Sequence, residues 1–284
     1  MKRLLISFLL SILLSIGALT APFHQGLEAA EAADFDHSHS AFDVLLMSRV
    51  EDGKADYKAI KNEPEKLDKY LSELAGVNET DYSSWSRDEK VAFWINAYNA
   101  FTIKAIVDNY PIKGGRISLY PRNSIRQIKG VWNELKFEAA GREVTLNHIE
   151  HKILRAEFKE PRIHFAIVCA SVGCPKLDGK AFKAAALDEQ LDDSAKRFIN
   201  DPEKVRVIAE KNQVELSKIF KWFGTDFIEK YGTREHFKNR SKRDRAVLNV
   251  VSMNLKNKDL KKVLAHKRLK ISYLNYDWSL NEQH

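Results

Sequence analysis

Two thiols five positions apart are the residues of this chain best suited to covalent chemistry. Its two cysteines are Cys169 and Cys174. Cys169 lies near the end of an apolar run, 162–170, that predicts a buried strand, and Cys174 follows this run. A rigid strand that ends in a turn of small residues can present a reactive side chain to solvent. A thiolate at Cys169 would act as a nucleophile on a carbonyl if a nearby base or cation lowered its pKa.

Histidines and carboxylates supply the other parts of such a site. His164 lies on the predicted strand but points to the face opposite Cys169 unless the strand is bulged. His151, on the preceding predicted helix, is the freer candidate for the base, with Glu150 or Asp277 to orient it. These residues predict a thiol-dependent hydrolase or acyl-transferase that acts on a peptide-like amide or ester.

A second set of polar residues is predicted to bind substrate or to stabilise an oxyanion. Two of its members are asparagines in an apolar helix, and a buried amide must find a partner. A structural network would satisfy these asparagines equally well, and the arginines of the set could instead pair with Glu150 or Asp277. The predicted binding residues are Asn96, Asn99, Arg155, Arg162, Ser171 and Cys174.

The thiol pair also allows other functions. In an exported chain, Cys169 and Cys174 could form a disulfide that closes a small loop, and the protein would then be a non-catalytic envelope binding protein. A thiol redox role is the weaker alternative, because the spacing is longer than the two-residue gap of disulfide oxidoreductases. His148 and His151 with a downstream sulfur match no common zinc pattern, so we predict no metal and no cofactor.

The amino-terminal segment predicts export to the periplasm or the extracellular space. A basic start at Met1–Arg3 precedes an apolar run, Leu4–Ala21, which is the pattern of a secretory signal peptide. Cleavage after Thr20, Ala21 or Ala32 would fit this pattern. The predicted organisation is a signal peptide at 1–21, a disordered leader at 22–38 and a single domain at 39–284.

Charge bears on the choice of partner. The 284-residue chain has a net charge of +7, and much of the excess lies between Lys230 and Lys270. Export argues against nucleic acid as a partner. The basic region at 238–262 is therefore predicted to be a solvated helix face, and the alternative is contact with an anionic envelope surface.

Hydrophobic periodicity predicts a single α+β domain with a small, mostly antiparallel sheet surrounded by helices. The strongest helix signal runs from about 88 to 109 and stops before Pro111. Hairpins are predicted at 135–144 and 204–216. Further helices are predicted at about 39–50, 63–76, 145–158, 181–199, 218–231 and 233–266, with an extended segment at 270–280.

Segments in a fixed order along the chain form a family signature. They are Ala92–Asn99, Asn147–Arg155, Arg162–Leu177, Ser217–Trp222 with Asp226 and Phe227, and Tyr276–Leu280. Together they resemble the family catalogued as domain of unknown function 547, over about 42–280. The resemblance implies one compact domain and marks these segments as its characteristic positions, and it implies no particular substrate.

Overall fold

One 23-residue helix, Arg87–Asn109, runs through the main hydrophobic core and organises the fold. Ser86 and Glu89 form a capping box at its first turn. Nearly every side chain from Val91 onward is buried, which is the pattern of a core helix rather than a surface helix. The structure is a computed structural model, and it describes residues 34–115 and 118–283.

The described residues form short helices and strands around this core helix. The α-helices are α1 (Ser40–Arg49), α2 (Tyr57–Asn62), α3 (Glu65–Gly76), α4 (Glu79–Ser84), α5 (Arg87–Asn109), α6 (Leu146–His148), α7 (Leu187–Ile199), α8 (Lys218–Phe223), α9 (Phe227–Tyr231), α10 (Lys242–Asn254) and α11 (Lys258–Leu264). The 3₁₀-helices are Ile125–Gln127, Pro161–Phe165, Ala184–Ala186 and Ala209–Lys211, and Ile149–Glu157 is a π-helix. The strands are β1 (Val50–Glu51), β2 (Lys54–Ala55), β3 (Phe137–Ala139), β4 (Arg142–Val144), β5 (Val205–Ile208), β6 (Gln213–Leu216) and β7 (Lys270–Tyr273).

The strands form three small sheets. Two of them are antiparallel pairs, β1 with β2 and β3 with β4. In the third, β6 pairs antiparallel with β5, where Val207 faces Val214, and parallel with β7, where Val214 faces Ile271. The predicted α+β class, with small and mostly antiparallel sheets among helices, is confirmed.

Two hydrophobic clusters flank the segment that carries the thiols. The first surrounds α5, and the second joins α7 to α10 with the β5–β6–β7 sheet. Ile163 and Val168 belong to the first cluster, whereas Phe165 belongs to the second. Tyr276, near the carboxy terminus, packs against both. The thiol segment therefore lies where the two clusters meet.

The predicted strand at 162–170 is wrong. Pro161 starts a 3₁₀-helix that ends at Phe165, and the chain then continues without a sheet partner. The Asn99 side chain donates to the Ala166 carbonyl and accepts from the Val168 amide, which satisfies backbone groups that a neighbouring strand would otherwise satisfy. A short apolar run indicates burial, and its periodicity alone does not distinguish a strand from other buried backbone.

Several predicted helices have different bounds. The helix predicted at 145–158 is α-helical only through His148 and continues as a π-helix. The predicted helix at 218–231 is interrupted at 224–226, and the one at 233–266 begins only at Lys242. Local propensity predicts the presence of these helices more reliably than their ends, which depend on tertiary packing.

The folded region begins earlier than predicted. Phe35 packs its ring 5.2 Å from that of Trp85 and 5.3 Å from that of Phe93, and Asp36 accepts hydrogen bonds from Ser38 and Ser40. Residues 35–38, which were predicted to belong to a disordered leader, are therefore part of the folded region, and residues 22–33 of that predicted leader lie outside the described residues. The predicted signal peptide lies outside the described residues. None of the described helices is long and apolar enough to cross a membrane.

Part of the basic region at 238–262 holds neighbouring elements together. Arg243 donates to the carbonyl oxygens of Phe220 and Lys221, 3.1 and 2.9 Å away, and Arg240 donates to the carbonyl of Leu269. The apolar face of α10 is buried in the second cluster, and its amino-terminal residue Lys242 is exposed. This arrangement supports the predicted solvated helix face.

Candidate functional site

A cleft of about 480 Å³ is lined by residues of both hydrophobic clusters. It brings together the two thiols and three ionisable residues predicted from the sequence to act with them. These residues are Cys169, Cys174, Glu150, His151 and His164. Both sulfurs belong to free thiols in the structure.

Three donors converge on the sulfur of Cys174. The backbone amide of Cys169 lies 3.0 Å from Cys174 Sγ, the Tyr276 hydroxyl 3.1 Å and the Ser171 hydroxyl 3.5 Å. Burial opposes the charged form of Cys174, but hydrogen bonds from Cys169, Tyr276 and Ser171 outweigh it and lower the pKa of this thiol to about 6. These donors therefore favour the thiolate form of Cys174.

Cys169 has the opposite character. Its Sγ lies 3.2 Å from the Ser171 hydroxyl and 3.3 Å from the Tyr276 hydroxyl, so the two thiols share both hydroxyl neighbours. Its interaction with Cys174, followed by burial, raises the pKa of Cys169 well above its usual range. One sulfur carries the charge and the other keeps its proton, which is the expected behaviour of two acids in close contact.

The carboxy-terminal segment holds the thiol turn in place. The Asn281 amide donates to the Ala170 carbonyl, and the amides of Val172 and Gly173 donate to the carbonyls of Ser279 and Asp277. A Cβ at Gly173 would lie only 2.8 Å from the Tyr276 ring and 2.9 Å from the Asp277 carbonyl oxygen. The close approach of Tyr276 to the sulfurs therefore requires glycine at this position.

The two histidines share one network. The Asp226 carboxylate accepts from His164 Nε2 at 2.8 Å and from Arg155 at 2.6 and 3.0 Å. Arg155 also donates to His151 Nδ1 at 2.5 Å. Because a guanidinium only donates, His151 Nδ1 accepts, and the proton of the neutral ring lies on Nε2. No hydrogen bond joins either imidazole to a sulfur within 34–115 and 118–283.

The network has a defined charge state. Burial, with the neighbouring Arg155 charge, lowers the pKa of His151. Burial also lowers the pKa of His164, although the hydrogen bond to Asp226 opposes this effect. Burial disfavours ionisation of Asp226 as well, but hydrogen bonds from His164 and Arg155 hold its pKa well below the usual range. The two imidazoles are therefore neutral donors or acceptors at neutral pH.

Glu150 and His151 both line the cleft although they are adjacent in the sequence. Adjacent residues of an α-helix point about 100° apart, so the sequence predicts that only one of them would face the thiols. Both residues lie in the π-helix Ile149–Glu157, which closes an i→i+5 hydrogen bond from the Phe158 amide to the Ile153 carbonyl. Such turns are frequent at functional sites.

Glu150 is a half-buried acid that lines the same cleft as the thiols. Its Oε2 accepts from the Tyr98 hydroxyl at 3.3 Å. Burial raises the pKa of Glu150 to about 7 against the opposing charge of Arg155, and the charge of Cys174 adds to the increase. At neutral pH a large fraction of Glu150 therefore carries a proton that it can donate.

Other predicted residues lie outside the cleft and have structural roles. Asn96 donates to the Phe182 carbonyl and accepts from the Phe182 amide, at 2.8 and 2.9 Å. Arg162 is buried in a bidentate pair with Glu160. Asp277 is exposed and accepts from the Ser279 amide at 2.8 Å, and no hydrogen bond joins it to a histidine among the described residues. The structure thus supports the alternative of a structural asparagine for Asn96, and Asp277 caps a turn.

Sequence reasoning missed several residues of the cleft. Asp226, rather than Asp277, is the carboxylate that contacts a histidine. Tyr276 contacts both sulfurs, and the Asn147 side chain lines the cleft without a hydrogen bond among the described residues. All three belong to segments of the family signature, which was the available signal. Their roles depend on contacts between distant parts of the chain.

Aromatic rings form one wall of the cleft. The Tyr276 ring lies 4.6 Å from that of Trp278 and 4.8 Å from that of Trp222. Tyr120 and Trp132 extend this wall away from the thiols, at 5.9 and 6.3 Å from Trp278. These five residues are called the aromatic wall below.

The histidines do not form a metal cluster with other side chains in the described part of the chain. There, no group of three or more His, Cys, Asp or Glu residues is arranged to hold a metal ion. His148 is exposed and does not line the cleft.

Comparison with protein families identifies one match. Residues 82–199 match the model of the family described as protein of unknown function, DUF547. The match confirms the predicted resemblance over that segment, which includes α5, the π-helix and both thiols. No curated protein and no solved structure matches the chain.

Proposed function

We propose that the cleft is the active site of a thiol-dependent hydrolase or acyl-transferase, with Cys174 as the nucleophile. The convergence of three donors on Cys174 Sγ, in a cleft that also holds Glu150, is the observation that carries the proposal. Donors that converge on a sulfur stabilise its thiolate, which is the reactive form.

In the proposed reaction the Cys174 thiolate attacks the carbonyl carbon of an amide or ester and forms a carbon–sulfur bond. The carboxyl proton of Glu150 passes to the departing amine or alcohol as its bond to carbon breaks. Water, or an acceptor amine or alcohol, then attacks the thioester and loses a proton to the Glu150 carboxylate. The sulfur leaves as a thiolate, and both groups return to their starting states.

Two further side chains are suited to the negative oxygen that develops on the carbonyl. Asn147 and His151 both line the cleft. Asn147 has an amide with two hydrogens to donate, and the proton of neutral His151 lies on Nε2 because Arg155 occupies Nδ1. Donors of this kind stabilise an oxyanion most strongly when they are fixed in place before the reaction.

The choice of Cys174 differs from the sequence-based prediction of Cys169. Cys169 is the more exposed thiol, but its contact with Cys174, together with burial, raises its pKa and favours the protonated form. Its backbone amide donates to Cys174, so it also acts as part of the environment of the nucleophile.

Alkylation kinetics test which thiol is the nucleophile. We would label the protein with iodoacetamide from pH 4 to 9, in the Cys169→Ser and Cys174→Ser variants and the unmodified sequence, and map the label by mass spectrometry. The proposal expects labelling of Cys174 with a midpoint near pH 6, retained in Cys169→Ser. Labelling confined to Cys169 would contradict this choice and identify Cys169 as the nucleophile.

The proposed acyl transfer is tested by trapping the covalent acyl-enzyme. A panel of p-nitrophenyl acyl esters would be incubated with the protein and quenched in acid, and the acyl mass would be located by peptide mapping. Thioester formation on Cys174, absent in Cys174→Ser, is expected. Nitrophenol release that persists in Cys174→Ser would contradict the proposal.

Thiol–disulfide exchange is a second candidate function. The specific observation in its favour is the division between a low-pKa Cys174 and a protonated Cys169 that share two hydroxyl neighbours. Exchange reactions use one attacking thiolate and one resolving thiol. Thiol counting in dithiothreitol redox buffers would test it, since exchange requires a reversible Cys169–Cys174 disulfide.

Export to the periplasm or the extracellular space also remains a proposal, supported by the pattern of the first 21 residues. The mass of the mature protein after expression in its host would test it. A mature protein that begins after Thr20, Ala21 or Ala32 is the expected result, and retention of Met1 in the cytoplasmic fraction would contradict export.

A further inference from the structure

We propose that Arg126 binds a carboxylate of the substrate, so that the cleft accepts acyl compounds that carry a free carboxylate and an apolar or aromatic group. This inference deepens the proposed function and rests on it for the identity of the reacting bond. The binding step that it describes can be measured separately from any reaction.

The Arg126 guanidinium is placed by aromatic rings rather than by an acid. Its carbon lies 4.4 Å from the ring centroid of Tyr120, 5.0 Å from that of Trp278 and 5.4 Å from that of Trp132. Stacking on rings orients a planar guanidinium and leaves its N–H groups available at the edges. Those N–H groups match the two oxygens of a carboxylate.

The backbone around Arg126 is well anchored. Arg126 lies in the 3₁₀-helix Ile125–Gln127, which is capped by Ser124, and both Ser124 and Ile125 are fully buried. The Gln127 side chain donates to the Tyr120 carbonyl at 3.2 Å and to the Ser118 hydroxyl at 2.8 Å. Arg126 and Tyr120, the ring nearest to it, are thus both held by the 3₁₀-helix Ile125–Gln127.

Charge balance distinguishes Arg126 from the other arginine near the cleft. Arg155 is neutralised by a bidentate pair with Asp226. Arg126 forms no ion pair and no side-chain hydrogen bond with any residue in 34–115 or 118–283, yet it lines the cleft. No acidic side chain of the described residues balances the charge of Arg126. A cation of this kind is expected in a site that receives its anion from a ligand.

The aromatic wall connects this cation to the thiols. Trp278 contacts both Arg126 and the Tyr276 ring, and the Tyr276 hydroxyl contacts both sulfurs. A substrate could therefore lay an apolar group along the wall while its carboxylate meets Arg126 and its carbonyl meets Cys174. Trp222, which is 44% exposed, leaves an open apolar surface beside this path.

The test measures binding in the Cys174→Ser background, so that turnover plays no part. The probes are N-acetyl-phenylalanyl-alanine with a free carboxylate and its carboxamide, titrated by calorimetry and by tryptophan fluorescence. The acid is expected to bind about two- to fivefold more tightly than the amide, because Arg126 is exposed and solvent screens its pair with the carboxylate. That preference should disappear in Arg126→Gln. It should decrease in Arg126→Lys, because an ammonium group cannot donate two parallel hydrogen bonds to a carboxylate as a guanidinium does.

Arg122→Gln is the matched control, because Arg122 is an exposed arginine of the same loop that does not line the cleft. It should keep the preference for the acid. Equal binding of acid and amide, or an unchanged preference in Arg126→Gln, would overturn the inference. A preference for the acid without any acyl-enzyme in the unmodified sequence would instead retain the carboxylate site and reject the proposed reaction.

A third probe identifies the source of the carboxylate. N-acetyl-phenylalanyl-glutamate with a carboxamide terminus carries its only carboxylate on a side chain. Binding of this probe at the level of the free acid would indicate an acidic side chain as an acceptable source. Binding at the level of the amide would indicate recognition of a chain terminus.

Discussion

Tyr276 donates its phenolic hydrogen to Cys174 Sγ across 3.1 Å, and this contact joins two residues that are 102 positions apart. Burial raises the pKa of Tyr276 well above its usual range, so the phenol keeps the hydrogen that it donates. The thiol that is least exposed therefore becomes the more acidic one.

Tyr276→Phe should make Cys174 less acidic while keeping the ring in place. Loss of one donor to the thiolate is worth about 1 kcal/mol, which corresponds to a pKa of Cys174 higher by roughly one unit. The midpoint of iodoacetamide labelling should move upward from about 6. Tyr273→Phe is the control, because Tyr273 contacts Arg243 outside the cleft; an equal change in both variants would contradict the assigned contact.

Asn99→Ala should weaken the thiol site and the fold together. Asn99 holds the Ala166 carbonyl and the Val168 amide, and its loss leaves buried backbone groups unpaired, at a cost of about 2–4 kcal/mol in the free energy of unfolding. Asn96→Ala removes an equivalent pair of bonds to Phe182 and should cost a similar amount. Urea unfolding gives both values, and only Asn99→Ala should change the pH profile of Cys174 labelling.

Gly173→Ala should displace the carboxy-terminal segment. The added methyl group would meet the Tyr276 ring and the Asp277 carbonyl below normal contact distance, and relief of that contact costs about 1–3 kcal/mol. A lower melting temperature and slower labelling of Cys174 near pH 6.5 are expected. Gly179→Ala has open space around its Cβ and should leave both quantities close to their original values.

Glu150 should make the protein less stable as the pH rises. Burial raises its pKa to about 7 from 4.5, so the folded state holds the proton more tightly than the unfolded chain. The free energy of unfolding should therefore fall between about pH 4.5 and 7, by about 3 kcal/mol if no other group responds. Unfolding at pH 5 and pH 8 should show a smaller difference in Glu150→Gln, with exposed Glu157→Gln on the same π-helix as control.

Asp226→Asn should be far more disruptive than Asp277→Asn. Asp226 accepts from His164 and twice from Arg155, and its replacement leaves a partly buried guanidinium without its anion. A loss of about 2–4 kcal/mol in the free energy of unfolding is expected. Asp277 is exposed and caps a turn, so Asp277→Asn should change stability by less than about 1 kcal/mol. An equal or larger loss in Asp277→Asn would contradict the contacts assigned to Asp226.

Local patterns were sufficient to predict much of the fold. The helix signal at about 88–109 and the stop before Pro111 made α5 predictable to within one residue at its start. Turn residues between extended segments predicted the β3–β4 and β5–β6 hairpins to within two residues at each end. The segment at 162–170 was mispredicted, because the Asn99 side chain, distant in sequence, supplies the hydrogen bonds that decide its backbone conformation.

The candidate site was likewise predictable from the sequence only in part. The sequence by itself determined that two thiols, two histidines and Glu150 were the groups to consider, because their residue types carry the chemistry and their spacing places them on neighbouring elements. Only the tertiary structure decided that donors converge on Cys174, that Asp226 rather than Asp277 meets a histidine, and that Arg126 lies on an aromatic wall. The physical reason is that a pKa and a binding surface depend on burial and on donors within a few ångströms, and here those donors come from parts of the chain far apart in sequence.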